Sequence, residues 1–228
     1  MVDLKKENEK ALLTYLLVAV VPIYVSLAIA QGERLLQVAE SQPWIAFSQL
    51  AVIGIGPLLC LKAVLLLLAS VIAPQWKERL VHLRWSNPLP GSRCDQIMAR
   101  DARVDLANLP PEVEALRDRS LSPKERNARW YRDIYRPVSN APAILNSHRQ
   151  YLLHRDTSAG VALVIVLSSL TDLGSRLILG EPLIFGPAYL VLLAYLGLAM
   201  IAANVAGNRM VAGAIANFSN TQHIGGDQ

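Results

Sequence analysis

Cysteine is scarce in this chain. Only Cys60 and Cys94 occur, neither in a CxxC pair, which excludes a disulfide framework and the usual structural zinc site. Glycine-rich phosphate loops are missing, and so is any Ser-His-Asp signature. The four histidines, His82, His148, His154 and His223, form no i,i+4 pair among themselves, so neither a cofactor nor a metal is predicted. The apolar stretches lack period-two alternation, which argues against membrane strands. Charge is also sparse, at 18% of residues against 53% hydrophobic, with mean hydropathy +0.32. That balance is too apolar for an ordinary soluble domain of 228 residues.

The apolar residues are gathered in four blocks: Ala11 to Gln31, Ile45 to Ala73, Val161 to Gly180 and Ile184 to Ala206. Each reaches or approaches the roughly 20 residues with which a helix crosses a ~30 Å hydrocarbon core. Lipid offers no partner to backbone amides, so such segments cross as helices. Lys5, Lys6 and Lys10 before the first block, with Ala28-Ile29-Ala30 near its end, resemble a secretory signal. The run is longer than the roughly 7–15 apolar residues of a signal, however, and a retained anchor is expected.

Charge asymmetry orients the spans. The segment 75–160 holds 15 Lys/Arg against ten carboxylates, net +5, whereas of the other two connections the first has only Arg34 as a basic residue and the second has none. The positive-inside rule places the N-terminus, this middle segment and the C-terminus in the cytoplasm of a cell with an inner membrane.

Within the second block, Gly54, Gly56 and Pro57 form a weak point, because proline deletes a helical hydrogen bond and glycine removes side-chain restraint. They read as a hinge or as close-packing positions. Lys62 and Asp172 each lie 11 residues from the cytoplasmic ends of their blocks, a depth of about 16 Å. Equal depth permits an ion pair, with Arg176 competing for the Asp172 carboxylate across one turn. Intramembrane charges normally face a bundle interior, so Lys62, Asp172 and Arg176 are expected to line one or to snorkel.

In the middle segment, Gln75 to Trp85 reads as a helical continuation of the second span, with Trp76 and Trp85 at headgroup level. Asn87-Pro88-Leu89-Pro90-Gly91 stops it. The Gly91-Ser92-Arg93 turn is placed to offer amides and a guanidinium to an anion such as a lipid phosphate. Ser122-Pro123-Lys124-Glu125 is a capping box that opens a helix to about Arg136. Along it Trp130, Ile134, Tyr131 and Tyr135 recur at one-turn spacing, as do Arg126, Arg129, Arg132 and Arg136. One packed and one solvated face is the simplest account. Arginine interleaved with aromatics also suits anionic lipid or RNA. After Arg209, Met210 to Phe218 is mildly apolar and reads as an interfacial helix or a frayed end, followed by a loose polar tail.

Arg149-Gln150-Tyr151-Leu152-Leu153-His154 is an R-x4-H hexapeptide. It resembles the catalytic motif of HEPN ribonucleases over these six residues. The resemblance implies a dimer in which Arg149 holds phosphate and His154 is general acid or base.

The expected molecule is an all-α integral membrane protein. Four transmembrane helices form two hairpins, within 1–74 and 161–209; a helical cytoplasmic domain, 75–160, is inserted between them, and 210–228 is a tail. Its partners are membrane lipids, further copies of itself and a soluble cytoplasmic protein. The leading functional expectation is an oligomeric pore-forming or membrane-disrupting effector, as in bacterial phage defence, whose cytoplasmic domain receives a signal. A membrane-tethered ribonuclease using Arg149 and His154, and a non-catalytic scaffold, are the alternatives.

Overall fold

The computed structural model describes residues 4–41 and 71–226. Among the described residues every regular element is helical and no strand occurs. Three helices are long and apolar enough to cross a membrane: α1 (Leu4–Ser41), α6 (Pro142–Leu179) and α7 (Gly186–Gly226). Between them lie the short helices α2 (Pro74–His82), α3 (Cys94–Met98), α4 (Pro111–Glu114) and α5 (Pro123–Arg129). The second apolar block falls almost wholly outside the described residues, and with it Gly54, Gly56, Pro57, Cys60 and Lys62.

Two compact units divide the chain. The first comprises Met1–Asn8, Pro74–Arg155 and Met200–Gln228. Its core joins Cys94 and Met98 of α3, Val113 and Leu116, Trp130 and Ile134, Ile144 of α6, and Val211 and Ile215 of α7. All of these are nearly inaccessible. The stretch after Arg209 is therefore neither interfacial nor frayed: the helix continues to Gly226, and Val211, Ala212, Ala214 and Ile215 are fully buried. Burying a valine or isoleucine side chain contributes about 1.5–3 kcal/mol, so Val211 and Ile215 help hold helical a segment whose composition alone looked weak.

Prolines punctuate this unit. Pro74, Pro111, Pro123 and Pro142 each stand at the first position of their helix, where the missing N–H costs nothing and φ is preset. α2 is thus a helix of its own, begun by Pro74 after a bend at Ile72, rather than the expected continuation. It ends with Leu83 in the left-handed region, φ 49°, as the Arg84 amide donates to the Arg79 carbonyl at 3.3 Å. The capping box forms: the Glu125 amide donates to Ser122 Oγ at 3.3 Å and the Ser122 amide to Glu125 Oε2 at 3.0 Å. Beyond α5 the helix widens into a π turn, Trp130–Tyr135. The wider turn sets Trp130 against Tyr135, ring centroids 5.3 Å apart.

The second unit comprises Glu9–Ala73 and Asp156–Ala199. Leu16 and Val20 of α1, Val161 and Val164 of α6, and Leu192 of α7 form its core. Gly160 permits the close approach of α1 and α6: a Cβ there would stand 2.3 Å from Leu16 Cδ2. Outward of this seam the apolar character does not stop. Val18, Val21, Val25, Leu170, Leu190 and Leu198 are all more than half exposed. In the apolar windows of α1, α6 and α7 only 22%, 28% and 28% of the residues are buried.

Asp172 is tied to the turn between α6 and α7, while the ion pair with Lys62 that its depth permits lies outside the described residues. Its Oδ1 accepts from the Leu183 and Ile184 amides at 2.8 and 3.1 Å, and its Oδ2 accepts from Arg176 Nε at 3.0 Å. The expected one-turn contact with Arg176 is present. Both carboxylate oxygens are occupied, and the continuous helix from Pro142 places Asp172 seven positions before its end at Leu179.

Candidate functional site

The first unit contains a buried chain of polar side chains built from two helical pairs. Glu78 and His82 stand one turn apart on α2, and Tyr151 and Arg155 one turn apart on α6. Arg155 donates to Glu78 Oε1 at 2.9 Å, and the Tyr151 hydroxyl donates to Glu78 Oε2. His82 Nε2 lies 3.4 Å from the same hydroxyl, and its Nδ1 accepts from Arg93 at 3.3 Å. A guanidinium only donates, so Nδ1 is the unprotonated nitrogen and Nε2 carries the proton. Burial, then the charges of Arg93 and Arg84, push His82 down to about 4. At neutral pH its 3.9 Å approach to Glu78 is therefore dipolar rather than an ion pair. The ring of Tyr151 abuts Gly207 of α7, where a Cβ would come within 3.1 Å of it.

Arg93 ends this chain and begins an open cavity. The cavity, about 290 Å³, is lined by Arg93, Gln96, Ile97, Arg100, Asp101, Val205, Asn208 and Arg209. The Pro90–Arg93 turn holds Arg93 there. Gly91 lies flush on Trp130, a Cβ being 2.4 Å from its ring, and Ser92 Oγ donates to the Leu89 and Asn87 carbonyls at 2.6 and 2.9 Å. Ser92 is thus turned inward, and of the amides expected to face an anion at this turn its own donates to the Leu89 carbonyl at 3.1 Å. The single carboxylate of the cavity wall, Asp101, is held by Arg103 through both oxygens at 2.9 and 2.8 Å. Among the described residues neither Arg100 nor Arg209 is paired with a carboxylate, and the buried Arg93 Nε has no partner. Burial, and then the nearby Arg84, pull the Arg93 guanidinium below its usual range.

The other predicted residues are dispersed. Arg126 is buried and donates to the Leu116 and Asp118 carbonyls at 3.0 and 3.2 Å, with Asp95 at 3.3 Å. Arg132 closes on its neighbour Asp133 at 2.6 Å, while Arg129 and Arg136 are exposed. The row of four arginines is therefore divided between an internal brace and a solvated face. Arg149 Nε donates to Asn8 Oδ1 at 3.0 Å, and the Arg149 carbonyl accepts from Asn8 Nδ2 at 2.8 Å; five positions on, His154 is half-buried on the same helix. Cys94 is buried, and desolvation first, then Asp95, pushes its thiol up to about 12, so it is no nucleophile. Trp76 and Trp85 are exposed and meet edge to face at 6.3 Å, with the Arg79 guanidinium 4.7 Å above the Trp76 ring.

Among the described residues, fold and site together define an all-helical arrangement with three helices of membrane-crossing length and an arginine-lined cavity tied to a buried polar chain. The sequence matches no protein family, and no curated protein or solved structure matches it.

Proposed function

We propose that the chain is a multi-pass inner-membrane protein of four spans in two hairpins, with both termini and the basic segment 75–160 in the cytoplasm, and that it acts as an oligomeric effector. It opens or disrupts the membrane when its cytoplasmic unit receives a signal, in the setting of bacterial defence against phage. The observation that carries the receiving role is the continuity of α7. Leu190 to Leu198, apolar and largely exposed, and Asn208 and Arg209 of the cavity wall belong to one unbroken helix. A ligand held at Arg209 thus acts on the helix that forms a span.

Membrane residence is supported by the unburied apolar windows of α1, α6 and α7, since exposed apolar surface of this extent is stable only in lipid or against another chain. Trp76, Trp85 and Arg79 are the residue types that settle at headgroup level. Assembly is supported by Gly174 and Gly197, around whose Cβ positions there is open space among the described residues; small residues admit a second helix closely.

The reading is tested by inducing the protein in bacterial cells while following a potential-sensitive dye. Collapse of the membrane potential, with loss of phage plaques at lower expression, is expected. An intact potential overturns the effector reading, and RNA loss that disappears in Arg149→Ala would put the ribonuclease in its place.

A further inference from the structure

We infer that the cavity between the Pro90–Arg93 turn, α3 and α7 is a binding site for a phosphate-bearing anion, gripped by Arg93, Arg100 and Arg209 and oriented by Gln96 and Asn208. The inference rests on the reading of this unit as the receiving part of the protein and supplies the chemistry of what it receives.

Three guanidiniums line the cavity. The one carboxylate among them spends both oxygens on Arg103, so an uncompensated positive field remains. Guanidiniums present paired donors in the geometry that matches phosphate oxygens. Two further buried polar atoms in this wall lack partners among the described residues, Arg93 Nε and Asn208 Oδ1. Buried polar atoms are ordinarily satisfied, and a ligand with both oxygen acceptors and a hydroxyl satisfies this pair. The amide ends of Asn208 are interchangeable by rotation, which offers a donor instead. Ile97 and Val205 give the wall an apolar flank. At about 290 Å³ the cavity stands at the small end of ligand sites, which run roughly 300–1,000 Å³; it fits one phosphate group with a short substituent rather than a long polyanion. Both a soluble phosphate compound and an anionic lipid headgroup carry this chemistry.

The full-length protein is tested in two forms, with Arg100→Gln and Arg209→Gln as variants. Both arginines are exposed and outside the polar chain, so the fold is spared, and Arg119→Gln, an exposed arginine away from the cavity, serves as control. In phosphatidylcholine nanodiscs, inorganic phosphate is titrated by calorimetry. In phosphatidylglycerol nanodiscs without free anion, retained lipid is counted by native mass spectrometry. Each cavity variant is expected to weaken binding about tenfold or more, as loss of a charge-assisted hydrogen bond does, while the control matches the parent. Response in the first form alone identifies a soluble ligand, and in the second alone a headgroup. Binding in neither form, or binding that the cavity variants leave unchanged, overturns the site. A protein that binds in this arginine-dependent way yet leaves cells polarised upholds the site and overturns the effector reading; depolarisation without such binding does the reverse.

Discussion

His82 shows how one side chain can record its surroundings. Its folded pKa, near 4, lies below the unfolded value of about 6.5, so the unfolded chain binds the extra proton first as pH falls. The stability it contributes is present above pH ~6.5 and is lost progressively toward pH ~4, amounting to about 3 kcal/mol in full. Guanidinium unfolding in neutral detergent is expected to show this decline in the parent, and His82→Gln is expected to flatten it by that amount; equal slopes would sink the assignment. Tyr151→Phe removes the hydroxyl that donates to Glu78 and faces His82. Leaving those buried groups short of a partner costs roughly 1–3 kcal/mol, read in the same unfolding assay at pH 8, where His82 is neutral throughout. A loss below about 0.5 kcal/mol, the low end for an ordinary hydrogen bond, would mean that water replaces the hydroxyl. Arg93 could be singled out from sequence because it follows a proline-glycine stop. Glu78, His82, Tyr151 and Arg155 could not be joined, since the pairs stand 69 to 77 positions apart. Their only local trace is that each pair has one-turn spacing.

At the scale of elements, ends were more legible than faces. Ser122 and Glu125 announced the start of α5 because capping chemistry is local, and Ser122→Ala is expected to lower stability by about 1 kcal/mol, measured by thermal unfolding. No change would mean that Pro123 alone sets the helix start. The inward turn of Arg126 was hidden, since its partners Leu116 and Asp118 come from the preceding segment. The π turn was hidden too: a period of 3.6 pairs Trp130 with Ile134, and only a wider turn brings Trp130 onto Tyr135. Leu83 closes α2 where glycine is usual. A non-glycine residue held left-handed costs roughly 1–2 kcal/mol, so Leu83→Gly is expected to raise the melting temperature, corresponding to about 1 kcal/mol after the added freedom of the unfolded glycine is offset. A lowered melting temperature would show that the exposed leucine is held by a contact stronger than its strain.

For the whole molecule, apolar blocks long enough to cross lipid stand out in any sequence, because the constraint is one of length and composition. Three of the four blocks lie on described helices that carry them. Where those helices end was not legible. α1 runs on to Ser41 and α7 to Gly226, and the second half of α7 is held by core contacts that its weakly apolar sequence does not announce. Arg209, which follows the last apolar block, became part of a cavity for the same reason. Sidedness is tested with a Cys60→Ser, Ser120→Cys protein: Ser120 is exposed, whereas the remaining Cys94 is buried with its thiol pushed up to about 12 and is expected to stay unlabelled. A membrane-impermeant maleimide should tag Ser120→Cys in inverted vesicles and spare it in intact cells. Tagging from outside intact cells reverses the topology.

The unbroken run of α7 has a mechanical meaning. A hydrogen-bonded helix yields little to twist, and no proline interrupts α7 over the 17 positions, about 26 Å of axis, from Leu192 to Arg209.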